Sequence, residues 1–409
     1  MSGKWPGGII SKTAPTVTGP TDGEGGSASG IWTLDQAADY EKQGLWPKPV
    51  LPKELWMLGK NNEGQLGDET LVDKSSPVQV GALTDWSEMA IGPWNTAALK
   101  ADGTLWGWGK NQRGELGIGS LVSNSSPAQV GALTDWGRPQ CGQQCVNSVK
   151  TDGTLWTWGY NLRGALGLGD TTDRSSPVQV GALTTWSKAG CGYLNMIAVK
   201  TDGTLWTWGT NDEGQLGDGS TTDRSSPVQV GALTDWSFPA GAGGSGDSYA
   251  LCIKTDGTLW SWGVNDSGQL GDGTVVDKSS PVQVGALTDW AEVRGGDGGT
   301  LAIKTDGTIW GWGKNGSGQL GQGNTTNYSS PVQIGALTTW SKIASGKLSG
   351  FGITTSNTLF AWGRNDEGQL GQGNTTSTSS PVQVGALTTW LKIPGDMPQS
   401  NSVGAMKTP

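Results

Sequence analysis

The motif N-x-x-G-x-L-G occurs seven times, starting at Asn61, Asn111, Asn161, Asn211, Asn265, Asn315 and Asn365. The steps between copies are 50, 50, 50, 54, 50 and 50 residues, and the four extra residues fall in the glycine-rich stretch AGAGGSGD, Ala240 to Asp247. A period of this length held along most of a chain constrains the fold strongly. Each repeat is one supersecondary unit that buries its apolar face only against its neighbours, so the architecture is a propeller or a solenoid. A chain of 409 residues would otherwise suggest two or three domains.

Each unit reads as four short strands. In the copy beginning at Trp86, a first strand runs towards Ile91 and a second is NTAALK, Asn95 to Lys100. Ala101–Asp102–Gly103 has the chemistry of a tight hairpin turn. The third strand is TLWGWG, Thr104 to Gly109, which places Trp106 and Trp108 on one face by period-two alternation. The motif turn follows. SSPAQV, Ser125 to Val130, is the fourth strand, and Pro127 marks it as an outer edge because proline cannot donate to a second ladder. Seven such units describe an all-β, seven-bladed propeller of four-stranded antiparallel blades.

An open ring would expose two sheet edges. The first unit, KELWMLGKNNEGQLG with SSPVQV, supplies only a third and a fourth strand, and the C-terminal segment from Trp390 supplies a first and a second. Met406–Lys407–Thr408 matches Val199–Lys200–Thr201. The two halves therefore predict a two-plus-two clasp, with the propeller occupying 51–409.

The repeated pattern, as in DGTLWTWGTNDEGQLG from Asp202 to Gly217, resembles the repeats of the regulator of chromosome condensation family over about residues 52–408. That resemblance implies a seven-bladed propeller. The founding member acts as an exchange factor on a small GTPase and binds chromatin. Other members are binding surfaces, including a bacterial propeller that inhibits β-lactamases. This chain departs from the family where a histidine often precedes the second strand: Asn95, Met196 or Tyr249 stand there.

Composition narrows the chemistry. With 27 Lys and Arg against 36 Asp and Glu the net charge is −9, which argues against a nucleic-acid surface and against anionic lipid. No apolar run reaches the length of a membrane span, and MSGKWPGGIISKTAP lacks a secretory apolar region, so cytoplasmic synthesis and no membrane insertion are expected. There is no histidine, which removes the commonest general base and metal ligand. No P-loop, calcium loop or nucleophile elbow is present. The expectation is a non-enzymatic protein with no catalytic residues, cofactor or metal. The four cysteines, Cys141, Cys145, Cys191 and Cys252, read as small buried thiols, with a disulfide or a thiolate metal site as the alternative.

The first fifty residues stand apart. Residues 1–30 have a Gly/Pro/Ser/Thr linker composition and read as an extended or flexible arm. In 31–50, Thr33 and Gln36 make a capping box, Leu34 to Gln43 read as one short helix, and Gly44 sits at its C-terminus. GIWTLDQAADYEKQGLWP resembles a short element of tailed-phage virion proteins, G-(V/I)-W-(T/S)-L-(D/E) followed by G-x-W-P. The resemblance implies a bacteriophage virion protein, a tail or head fibre or a surface decoration component. Ile31, Trp32, Leu34, Leu45 and Trp46 would anchor the arm to other virion proteins, unless the helix packs on the propeller itself. The expected location is the virion, after synthesis in the host cytoplasm.

The half of each repeat after the terminal tryptophan varies freely. It carries Trp94 and Asn95; Gln143 and Gln144; Tyr193, Leu194 and Asn195; Asp247 and Tyr249; Asp297; Lys347 and Leu348; and Asp396, Met397 and Gln399. Aromatic and amide side chains suit recognition. These residues are the candidate contacts to a host-surface protein or glycan, or to another virion protein. The competing reading is that they only fill the central channel. A cellular or secreted interaction module, such as an enzyme-inhibiting propeller, is the alternative function. The motif turns and the TTDR and LVDK stretches are expected to be structural and solvated, respectively.

Overall fold

The computed structural model describes residues 52–409 apart from 245, 246, 396, 398 and 399. The expected arm, the short helix and the anchoring residues Ile31, Trp32, Leu34, Leu45 and Trp46 lie outside the described residues, as do Asp396 and Gln399. The described residues form seven four-stranded antiparallel sheets. In the blade that begins at Trp86 the spatial order is inner strand Trp86–Ile91, then Asn95–Lys100, Leu105–Gly109 and outer strand Asn124–Gln129. These bounds lie within one residue of the sequence expectation. The second strand is buried along its whole length, whereas the outer strand is half-exposed, keeps Pro127 and pairs on one side only.

The clasp forms as its two halves predict. Strand Ser402–Lys407 pairs with Glu54–Gly59 in a six-residue register from Glu54 opposite Lys407 to Gly59 opposite Ser402. Trp390–Lys392 is the inner strand of that blade and Lys74–Gln79 its outer one. The two halves of the clasp are also joined by an ion pair, Lys407 Nζ to Glu54 Oε2 at 2.6 Å.

The tryptophans do one job per position. Trp136 meets both Trp156 and Trp158 at centroid distances of 6.1 and 5.8 Å, which confirms that the third-strand pair shares a face. Lys150 Nζ lies 4.7 and 4.5 Å from the rings of Trp136 and Trp156, a cation held between two aromatic faces, and Asp135 pairs with it at 3.2 Å. Trp158 Nε1 donates to the Glu115 carbonyl of the preceding blade at 3.0 Å, and Trp108, Trp208, Trp262, Trp312 and Trp362 repeat the bond. Leu58 stands at this position in the clasp blade and packs in its apolar cluster without such a bond.

The motif asparagine is structural. Asn111 Oδ1 accepts the Leu116 amide at 2.9 Å, and its Nδ2 donates to the carbonyls of Ser120 and Val122 at 3.0 and 3.1 Å. A buried side chain thus satisfies the turn's backbone. The equivalent bonds recur in every blade, for instance at Asn61 and Asn365.

In five blades the inner strand runs from its tryptophan to its loop glycine; in the other two it spans Pro139–Cys141 and Trp390–Lys392 in the same direction. All seven loops between inner and second strands therefore lie at one end of the axis, together with the long motif loops. The hairpin turns and the starts of the inner strands lie at the other end.

Candidate functional site: the loop face

The loops between inner and second strands are held in register by seven equivalent backbone bonds. The amide just past each third strand donates to a loop carbonyl: Lys110 to Trp94 at 2.8 Å, Tyr160 to Gln144 at 2.9 Å, Thr210 to Leu194 at 3.0 Å, Val264 to Ser248 at 3.0 Å, Lys314 to Gly298 at 2.8 Å, Arg364 to Leu348 at 2.8 Å and Lys60 to Asn401 at 3.1 Å. Neighbouring loops touch. The Gln143 amide donates to the Tyr193 carbonyl at 3.3 Å, and the Gly243 amide to the Gly296 carbonyl at 2.9 Å. A Cβ on Gly142 would meet the Gly192 carbonyl at 2.9 Å, so only glycine permits this approach. Backbone bonds thus join several of the described loops, and loops already held in this way have less freedom to lose on binding.

The structure divides the sequence-predicted site residues in two. Asn95, Asn195, Tyr249, Leu194 and Met397 are buried at 5% exposure or less. Asn95 Nδ2 approaches Cys141 Sγ at 3.9 Å. Tyr249 Oη donates to the Gly299 carbonyl at 2.8 Å and accepts from Thr300 Oγ1 at 3.0 Å, tying two blades together. In this structure these five side chains are packed inside the propeller rather than open on its surface.

Trp94, Gln143, Gln144, Tyr193, Asp247, Asp297, Lys347 and Leu348 are half-buried at the rim. Lys110 Nζ sits 4.5 Å above the Trp94 ring. Asp247 pairs with Lys314 at 3.1 Å beside Asp297. Burial raises the Asp297 pKa, opposed by Lys314 and reinforced by the Asp247 charge. Burial works against the Lys314 ammonium, but Asp247 and Asp297 outweigh it and raise its pKa.

The cysteines carry no such chemistry. All four are free and buried, so the disulfide alternative does not occur in this structure. Burial pushes the Cys141 and Cys252 thiols up to about 12, far from a thiolate at neutral pH. Among the described residues no group of three or more His, Cys, Asp or Glu side chains is placed to hold a metal ion.

One feature escaped the sequence reading. On the same face, in the long motif loops, Leu71, Val72, Leu121, Val122, Val275 and Val276 are 58–73% exposed. The other four blades carry a Thr–Thr pair there, such as Thr171–Thr172, and comparing that column across repeats would have shown the apolar pairs.

A repeat-propeller protein is the class that this fold and rim define. The family model described as "Regulator of chromosome condensation (RCC1) repeat" matches residues 54–99, 102–146, 152–199, 202–251, 256–303, 306–349 and 356–393. The chain belongs to that repeat family. Human WBSCR16 superposes with a TM-score of 0.76 at 20% identity, covering 87% of this chain and 99% of that one. Prp20p of Saccharomyces cerevisiae gives 0.74 at 19% identity, covering 88% and 92%. Both likenesses concern the fold. Human E3 ubiquitin-protein ligase HERC2 is 41% identical over 51 residues, 12% of this chain. That stretch is 1% of the relative's own length. No virion protein is among these relatives.

Proposed function

We propose that the propeller is a protein-binding module that engages its partner through the loop face. The three exposed apolar pairs carry this reading. Leu71–Val72 and Leu121–Val122 project from adjacent blades and Val275–Val276 from a third, at 58–73% exposure, beside a rim holding Trp94 and Tyr193. Apolar and aromatic side chains on a loop face are the composition of an interface core. The relatives support the class. The Prp20p structure is described with its binding to Gsp1p and histones, and another structure shows Kap60 bound to yeast RCC1.

A photo-crosslinking amino acid at Leu121 or Trp94 tests the surface. Capture of one defined protein from these positions, and none from Asp102 on the opposite face, is the expected result. Capture from Asp102 alone would reverse the assignment.

The finer reading places this module on a phage particle, with residues 1–50 attaching it to other virion proteins and the loop face meeting a host-surface molecule or a virion subunit. The sequence GIWTLDQAADYEKQGLWP supports it. On this reading the chain co-purifies with particles, and deleting residues 1–50 abolishes incorporation while the propeller still folds. Unchanged incorporation of the deletion variant would refute it. An enzyme-inhibiting or other cellular module then remains, and the crosslinked partner decides.

A further inference from the structure

Two consecutive blades break a charge pairing that others repeat. The residue after each motif Leu–Gly is Asp68, Ile118, Leu168, Asp218, Asp272, Gln322 or Gln372. Asp68, Asp218 and Asp272 pair with the cation that opens their outer strand, Lys74 at 3.2 Å, Arg224 at 2.9 Å and Lys278 at 3.4 Å. The blades that begin at Trp290 and Trp340 carry Gln322 with Tyr328 and Gln372 with Thr378 instead.

Each of these glutamines lines a cleft against the following blade. The first cleft, about 450 Å³, lies between the outer strand Tyr328–Gln333 and the next blade's Phe360 and Pro381. The second, about 560 Å³, lies between the outer strand Thr378–Gln383 and Trp56 and Pro77 of the clasp blade. Among the described residues no Asp, Glu, Lys or Arg lines either cleft. Tyr328, Leu337, Phe360 and Pro381 give the first cleft apolar walls, with Leu337 48% exposed. Phe360 also differs from its counterparts. Thr354 stands where the other six blades hold a lysine over the third-strand ring, as Lys304 lies 4.4 Å from the Trp310 ring.

The polar side chains of the first cleft are amides and a phenol. Gln322 Nε2 donates to the Gly311 and Val332 carbonyls, both at 3.1 Å, and two acceptors on one side fix the orientation of the amide. Its Oε1 is buried and has no hydrogen-bond partner among the described residues. An acceptor left in that state costs free energy until a donor reaches it. Asn324 Nδ2 donates to Tyr328 Oη at 3.1 Å and steadies that ring in the wall. Trp340 Nε1 is unpartnered too, but so are its six counterparts, so it marks blade construction rather than this cleft.

We propose that the two clefts bind neutral sugar residues of a glycan. A pyranose offers C–H faces to ring walls and hydroxyl groups that donate to an amide oxygen. A charged ligand would leave water with no counter-charge to meet it. A proline-rich peptide also suits aromatic walls, but it brings mainly carbonyl acceptors, and the unpaired atom of the first cleft is itself an acceptor. Clefts on neighbouring blades let one chain hold two residues of a branched or repeating glycan, so that each weak contact reinforces the other. The motif loops of these blades carry Thr325–Thr326 and Thr375–Thr376 rather than an exposed apolar pair. The test is therefore independent of the protein partner assigned to Leu121 and Trp94.

Saturation-transfer NMR of the full chain with the methyl glycosides of glucose, galactose, mannose and N-acetylglucosamine tests the proposal. Transfer to at least one glycoside is expected, with a Kd on the order of 1 mM. The double variants Gln322→Asp/Tyr328→Lys and Gln372→Asp/Thr378→Lys install the ion pair that Asp68 and Lys74 already form, so the fold should hold, checked by thermal melting. Each double variant should weaken transfer, and the four changes together should abolish it. Leu337→Ala, at an exposed wall residue, should weaken it as well. Transfer to none of the glycosides would overturn the proposal, as would equal transfer in the parent and the fourfold variant. Binding of a polyproline peptide without glycoside transfer would assign the clefts to peptide instead.

Discussion

Glu115 shows how one atom separates a chassis position from its copies. Five other blades carry glutamine there, as at Gln65 and Gln215, whose Oε1 accepts the amide two residues earlier at 2.9 Å. Glu115 accepts the Arg113 amide at 2.7 Å but is 2% exposed and leaves Oε1 without a hydrogen-bond partner. Burial raises its pKa. A raised carboxylate pKa means that the fold disfavours the charged form, so the penalty is full above the folded pKa and absent below the unfolded one. Glu115→Gln should therefore stabilise by about 1 kcal/mol at neutral pH, with the gain vanishing below about pH 4.5, as read from urea midpoints across pH. Lys200 is the second case. Its sandwich between Trp186 and Trp206 lacks the acid that Asp135 or Asp235 supplies, because Thr185 stands there, and burial lowers its pKa. Thr185→Asp should restore the pair, raise the Lys200 pKa and add about 0.5 kcal/mol. A lowered melting temperature would show that the pair is not formed.

Among the elements, the clasp decides whether the ring exists. Strand Ser402–Lys407 covers the edge of Glu54–Gly59 with six paired residues and buries Val403, Ala405 and Met406. Removing residues 402–409 uncovers that edge and opens a hole in the largest apolar cluster. The truncated chain should lose its cooperative melt and associate in size-exclusion chromatography; a monomer melting as the parent does would contradict this role. The strands themselves were legible because alternation, turn chemistry and Pro127 act within a few residues. The rim was less so. Trp94 and Asn95 are neighbours in one loop, yet Trp94 faces outwards while Asn95 packs towards Cys141 of the next blade. No local pattern encodes that difference, since it depends on which blade lies alongside.

For the whole molecule, repetition turns small effects into a collective one. Side-chain and backbone bonds from Thr104 lower the Asp102 pKa, and the same turn recurs at Asp152, Asp202, Asp256 and Asp306. At Asp68, Asp218 and Asp272 burial opposes ionisation but donated hydrogen bonds outweigh it, and the pKa is again lowered. A lowered carboxylate pKa gives stability that is present above the unfolded value and is lost as pH falls through the folded one. Glu115 and Asp297 act in the opposite sense and are far fewer. The melting temperature should therefore fall steeply as pH drops below about 4, and replacing the five turn aspartates with asparagine should flatten that fall. An unchanged acid profile would remove these turns from the account.

The sequence by itself determined the blade count, the strand order, the closing clasp and the structural duty of the motif asparagines. Each of these follows from short-range chemistry repeated at a fixed period. The tertiary structure alone decided which variable residues remain open to a partner. It buried Tyr249 and Met397 while leaving Leu121 and Val122 exposed. It also brought Arg138 and Arg294 together over Gly395. Closing the ring sets the radial position of every side chain and joins blades distant in the chain, and a repeat read one copy at a time carries no information about its neighbour across the axis.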